Sequence, residues 1–338
     1  MGGRRGPCRD PAPSPARRAH ADRDRKPARR QRPRRAFRTL RPRLPNLFRR
    51  PPDVPVPPRL SQQDEAQPMK YHLISASRSL GLLPVLDRLS YLRKRAQTAR
   101  SNRAFRAAHP DYAVPPEDLA FDAYNKVDWE SYDTLGRAHA KVFADLIDAH
   151  APPGPLALLE WGCGPGRLIR HMPALLAHRD VAVTGTDYNP ATIRWCQGAL
   201  PGIDFALNGM EPPLPFDADS FGAAYNFSVF THLSEAVQIA WAQEMLRVLK
   251  PGGVLVATTH GDYYTYLLTG AAEQAAYARG ELVTQSRYAE GKKWFFAVHP
   301  PDYVRNTLFR GFERVERVAT PADAGMTQDL WIAFKPHG

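Results

Sequence analysis

Short, mostly apolar runs recur through the middle of the chain, at residues 155–159, 181–186, 203–206, 221–227 and 254–259. Four of the five follow a glycine or an acid, and all are too short for a buried helix, which predicts strands. Between them lie stretches with helical spacing, at about 166–178, about 189–199 and 234–249. Asn189-Pro190 is a helix start, and Lys250-Pro251-Gly252-Gly253 is a helix stop followed by a turn. Alternation of this kind predicts an α/β fold with a parallel sheet and right-handed crossovers. Two further stretches, 312–318 and 328–334, flank Pro321-Ala322-Asp323-Ala324-Gly325 and read as a pair of strands.

Upstream of the first strand, residues 118–150 carry Tyr124, Trp129, Tyr132, Leu135, Val142, Phe143, Leu146 and Ile147 at helical spacing. Residues 69–108 are helical in pattern too, with leucines interleaved with Arg88, Arg93, Lys94 and Arg95, and with Pro84 as an interruption. A basic amphipathic segment of this kind lies on a membrane surface or packs as an accessory helix. These patterns predict three parts: a tail over 1–68, a basic helical segment over 69–117, and an α/β domain over 118–338.

Charge sharpens that division. The 338 residues carry a formal net charge of +12. Residues 1–60 hold 19 Lys/Arg against four acids, a net of +15, so the rest of the chain sums to −3. Residues 1–60 also hold 13 of the 33 prolines and only scattered apolar residues. Such a composition cannot bury enough surface to offset its ordering entropy, which predicts disorder. Its only aromatics are Phe37 and Phe48, too few to stack bases between basic residues, so nucleic acid is not the expected partner. The three cysteines, Cys8, Cys163 and Cys196, form neither a disulfide framework nor a CxxC metal site. With no apolar run long enough to span a bilayer, the expected setting is reduced and cytoplasmic.

The candidate chemistry begins at the end of the first strand, in Glu160-Trp161-Gly162-Cys163-Gly164-Pro165-Gly166. Alternating glycines let the backbone turn sharply and approach a ligand that side chains would exclude. The ligand is expected at the carboxyl end of the strands, where open α/β sheets bind. Asp187 ends the second strand, placed to accept hydrogen bonds from both hydroxyls of a ribose. Gly162 and Gly164 match the dinucleotide fingerprint, but its third glycine position is Arg167, and a glycine falls one residue early at Gly166. That argues against NAD.

The frame Glu160-x-Gly162-x-Gly164-x-Gly166 instead resembles motif I of the class I S-adenosylmethionine (SAM)-dependent methyltransferases. The Leu249-Lys250-Pro251-Gly252-Gly253 turn before the 254–259 strand resembles another recurrent block of that family. The resemblance covers about residues 118–336. It implies a Rossmann-like seven-stranded, mostly parallel sheet with helices on both faces and a C-terminal antiparallel hairpin. It implies SAM as cofactor, with Glu160 toward its methionine part, directly or through water, Gly162, Cys163, Gly164 and Gly166 beneath it, and Asp187 on the ribose. Tyr188, Asn208, Gly209, Met210 and Asn226 complete the cofactor candidates. The family often has an acid facing adenine where this chain has Asn208-Gly209-Met210. The Asn-Pro-Pro-Tyr signature of many nucleic-acid amino methyltransferases is absent after Asn226.

In this family the acceptor side lies in the loops after the fourth and fifth strands. Those loops carry His232 and His260, the first and second candidate bases for a hydroxyl acceptor, and Asp262 as orienter. The insertion at about 260–300 is rich in tyrosine and is expected to be a lid over a small or sugar-like acceptor. The resulting expectation is methyl transfer to a small-molecule or glycan acceptor at oxygen, without metal. The alternatives are an RNA or protein methyltransferase and a SAM-binding regulatory protein without catalysis. Oligomeric state is not readable from the sequence.

Overall fold

The computed structural model describes residues 83–285 and 288–338. The predicted disordered tail, Cys8 and the part of the helical segment before residue 83 lie outside them. Seven strands form the central sheet: β1 (Leu156–Trp161), β2 (Val181–Asp187), β3 (Asp204–Leu207), β4 (Phe221–Asn226), β5 (Leu249–Thr259), β8 (Arg314–Val318) and β9 (Asp329–Phe334). Their order is β3-β2-β1-β4-β5-β9-β8. The first five pair in parallel, and β9 runs antiparallel to both β5 and β8.

Alternation along the strands divides the core in two. Leu158, Tyr225, Val254, Val256, Leu330 and Ile332 face one cluster, which includes Phe143 and Ile193. Their neighbours Leu159, Ala224, Leu255, Ala257, Trp331 and Ala333 face another, which includes Trp241 and Leu308. Successive strand side chains point to opposite faces, so a sheet covered on both sides needs apolar residues at nearly every position. This is why the strands read as continuous runs.

The helices correct the sequence expectation in two places. The 118–150 stretch divides into α2 (Glu117–Tyr124) and α3 (Trp129–His150), because Asn125 adopts a left-handed φ of 53° that ends α2. Asp128 then caps α3 by accepting the Ser131 N–H. α1 (Leu83–Ala108) opens at the edge of the described residues, so the expected interruption at Pro84 has no described partner segment before it. The helix expected over 166–178 is broken into a 3-10 turn, Ile169–His171, and one α turn, α4 (Met172–Leu175). Pro173 has no N–H for the Ile169 carbonyl, which accepts from Met172 instead.

α5 (Pro190–Ala199) starts as expected, with the Asn189 side chain accepting the Ala191 N–H. α6 (Glu235–Val248) leads straight into β5, whose Lys250-Pro251-Gly252-Gly253 block forms an irregularity in the β4–β5 ladder. α1 is no detached accessory. It buries Tyr91 and Phe105 with Phe121, Trp129 and Tyr132. The insertion folds as a 3-10 turn (Asp262–Leu267), α7 (Ala271–Ala278) and a small antiparallel pair, β6 (Val283–Gln285) with β7 (Phe296–Val298).

Candidate active site

Strand order reverses between β1 and β4, so the chain leaving each strand's carboxyl end diverges and opens a crevice there. A cavity of about 730 Å³ occupies that position. Its size lies within the range of small-molecule sites.

The glycine loop forms its floor. Gly162, Gly164 and Gly166 all have positive φ, at 76°, 51° and 79°. Each also stands against a neighbour. A Cβ on Gly162 would lie 2.5 Å from Val229 Cγ2, on Gly164 2.7 Å from the Tyr124 hydroxyl, and on Gly166 2.4 Å from Leu200 Cδ1. Conformation and space therefore both demand glycine here. The loop is tied to β2: the Gly162 and Cys163 N–H groups donate to the Thr186 carbonyl, each at 2.8 Å.

Asp187 lines the cavity, and its carboxylate accepts the Gly164 N–H at 3.0 Å and the Asn189 N–H at 2.8 Å. Burial raises its pKa, against the pull of these two bonds. Tyr188 and the Asn208-Gly209-Met210 segment line the same wall. The Asn208 amide donates to the Gly209 carbonyl while its Oδ1 is buried without a partner. The Tyr188 hydroxyl donates to the Gly291 carbonyl at 3.1 Å, joining this wall to the insertion.

Glu160, Cys163, Gly166 and Asn226 lie behind the lining. Glu160 is buried and accepts the Tyr225 hydroxyl at 2.7 Å; desolvation pushes its pKa up to about 8. Cys163 packs into the core beside Cys196, and both are free thiols. Asn226 is fully buried, and neither its Nδ2 nor its Oδ1 has a partner.

In the same cavity, the structure brings His232 and His260 together, with ring centroids 6.3 Å apart. The His232 Nδ1 lies 2.8 Å from the Phe295 carbonyl. A carbonyl only accepts, so Nδ1 carries the proton and Nε2 keeps its lone pair. Burial lowers the His232 pKa, which keeps the ring neutral at pH 7. His260 stacks on Tyr264 at 3.8 Å, and burial, then the fields of His232 and His299, hold its pKa well below the ordinary value. Asp262 stands away from the cavity, accepting from the Tyr277 hydroxyl and Arg317. His299 is fully buried, and its Nε2 donates to Gln238 Oε1 at 2.9 Å.

Several lining residues carry no motif. Tyr264, Tyr266, Lys293 and Trp294 come from the insertion, and Tyr124, Tyr132 and His139 from the helices before β1. His139 was visible in principle: it stands four residues from both Leu135 and Phe143, on the apolar face of α3. Arg167, which spoils the dinucleotide fingerprint, also lines the cavity. Among the described residues no cluster of acids, histidines and cysteines is arranged to hold a metal ion.

The residues present suit an adenosine cofactor with an amino-acid arm. A glycine floor no side chain can enter, an acid at the second strand and an unpartnered Asn208 Oδ1 meet in one crevice.

Comparison with known proteins agrees. A family model described as a methyltransferase domain matches residues 158–253. The phthiotriol/phenolphthiotriol dimycocerosates methyltransferase of Mycobacterium leprae is 28% identical over 183 residues, covering 49% of this chain and 63% of that protein. A probable S-adenosylmethionine-dependent methyltransferase of Mycolicibacterium smegmatis is 36% identical over 124 residues, covering 36% of this chain and 44% of that protein. The 24-methylenesterol C-methyltransferase 2 of Arabidopsis thaliana is 28% identical over 130 residues, covering 38% and 35%. The chain thus spans roughly a third to two thirds of these relatives, and the family model's match includes the glycine loop and Asp187. The glycine loop, the acid that ends β2 and the sheet order agree with that match, and mark residues 158–253 as a methyltransferase domain of the class I S-adenosylmethionine-dependent family, with S-adenosylmethionine as its cofactor.

Proposed function

We propose that the protein methylates a hydroxyl of a small-molecule or glycan acceptor, with His232 as general base. The observation that carries this reading is the His232 ring: its proton is committed to Phe295, and its Nε2 lone pair belongs to a residue that lines the same cavity as Gly162 and Gly164. Gly162, Gly164, Asp187, Tyr188 and Asn208 would hold the cofactor, with Glu160 acting from behind the loop. Bound S-adenosylmethionine supplies a methyl group on a sulfonium, a donor that needs no activation.

The chain's own task is then to align the acceptor, exclude water and take one proton. His232 Nε2 takes the hydroxyl proton as the oxygen attacks. His260, neutral and stacked on Tyr264, shapes the acceptor side. Tyr264, Tyr266 and Trp294 of the insertion cover it.

A lipid-bearing acceptor is a second reading. Val85, Leu86, Leu89 and Leu92 are exposed along α1, and the Mycobacterium leprae relative is named for dimycocerosates. No helix among the described residues is long and apolar enough to cross a membrane, so contact with lipid would be peripheral, from a cytoplasmic setting. The deciding experiment is a screen of the full chain with SAM against hydroxylated metabolites, glycans and lipids, read by S-adenosylhomocysteine formation. Turnover confined to RNA or protein substrates would overturn the reading.

A further inference from the structure

Arg167 is a buried cation without a counter-ion. It is only 7% exposed, yet it lines the cavity. No ion pair joins it to an acid among the described residues, and its Nε is buried without a partner. Glu160, whose field it feels, already accepts the Tyr225 hydroxyl.

The guanidinium is nonetheless firmly seated. It lies over the Tyr124 ring at 4.6 Å and the Phe227 ring at 5.2 Å. Its Nη1 donates to the His139 Nδ1 at 3.2 Å, which puts the ring's one N–H proton on Nε2, also without a hydrogen-bond partner. His139 is 6% exposed and stacks on Phe227. The backbone of α3 makes room, since a Cβ on Gly136 would lie 2.6 Å from the Arg167 carbonyl oxygen and 3.0 Å from its Cγ.

A desolvated charge is costly unless paired, and a planar guanidinium that gives His139 one hydrogen bond keeps further donors to offer. A carboxylate is the partner whose geometry matches that fork. We propose that Arg167, positioned by His139, Tyr124 and Phe227, is the carboxylate-binding site of this cavity. The residue excludes the dinucleotide fingerprint and supplies an anion anchor in its place. Two sources share the chemistry, the amino-acid arm of the cofactor and a carboxylate on the acceptor. The inference rests on the cavity being the methyl-transfer site.

Calorimetry on the full chain separates the cases. S-Adenosylhomocysteine and 5′-methylthioadenosine share the nucleoside, but only the first has a carboxylate. If the cofactor arm is the partner, Arg167→Met weakens S-adenosylhomocysteine about 10- to 100-fold, the weight of one charged hydrogen-bonded contact. Methylthioadenosine affinity then stays unchanged, and Arg167→Lys falls between, because an ammonium cannot match the fork. If the acceptor is the source, both nucleosides are unaffected, while benzoate binds the S-adenosylhomocysteine-saturated wild type and not Arg167→Met.

Unchanged affinity for S-adenosylhomocysteine, together with benzoate binding that is absent or equal in both proteins, overturns the proposal. Should Arg167→Met fail to fold, Arg167→Lys decides the same comparisons, and wild-type behaviour there overturns it. Wild type binding neither nucleoside would instead defeat the assignment of the cavity, a separate failure visible before any substitution.

Discussion

The Asp187 carboxylate accepts the backbone N–H of Gly164 at 3.0 Å, across 23 residues of sequence. Its other oxygen accepts the Asn189 N–H. The acid at the end of β2 is therefore a structural brace of the glycine loop as well as a candidate ribose ligand. Asp187→Ala strands two backbone donors, which costs about 1–3 kcal/mol each when they stay buried. The expected result is a lower urea midpoint without cofactor, together with lost S-adenosylhomocysteine binding in calorimetry. Unchanged stability would show that the loop holds itself.

His232 separates chemistry from scaffolding when two substitutions are compared. Its Nδ1 donates to Phe295, and its carbonyl accepts the Gly291 N–H at 2.8 Å. Asparagine keeps a donor near the Nδ1 position but offers no lone pair where Nε2 stood; alanine removes both. Both His232→Asn and His232→Ala should lower turnover by about 10²- to 10⁴-fold, the usual worth of a general base. S-Adenosylhomocysteine affinity should stay within about twofold in the asparagine variant. Wild-type turnover in that variant would remove His232 from the base role.

Gly136 sits inside α3, where glycine has no conformational purpose. Its role is close approach to the Arg167 carbonyl. Gly136→Ala gains helix propensity but must push the loop or the helix aside, and overpacking of this kind costs about 1–3 kcal/mol. Thermal unfolding should show net destabilisation, whereas an exposed Gly198→Ala in α5, where a Cβ meets nothing within 4 Å, should be neutral or stabilising.

Stability should peak near pH 6.5. His139 and His171 are held down to about 4, and His299 to about 3, mainly by burial. Below 6.5 the unfolded chain binds protons that the folded chain refuses, so stability falls with acidification. Glu160 acts in the opposite sense: the folded carboxyl keeps its proton to about 8, and its unfolded counterpart loses it near 4.5. That contribution fades as pH rises toward 8. Between 4.5 and 6.5 the histidines outnumber it, and above 6.5 it acts alone among these four groups. Melting temperatures over pH 4.5–8.5 should decline on both sides, and Glu160→Gln should flatten the alkaline limb.

The strands, their order in the chain and the glycine–acid frame were legible because a sheet buried on both faces writes itself as apolar runs, and because positive-φ turns restrict residue choice to glycine. Local rules served less well after the glycine loop. The apolar spacing of Leu168, Ile169 and Met172 predicted a long helix, and Pro173 reduced it to one turn. The same spacing hid the division between α2 and α3 at Asn125.

By itself the sequence determined the glycine loop, the acid after it and the strands that carry them, since these are adjacent elements with strong local signatures. Only the tertiary structure decided which side chains meet them in the cavity. His232 gains its tautomer from Phe295, 63 residues away, and Arg167 gains its seat from His139, 28 residues earlier. Tyr124 and Lys293 meet the cavity from its two covering segments. Such long-range contacts leave no periodicity in the chain, because they follow from how packed elements meet and not from the conformation of any one of them.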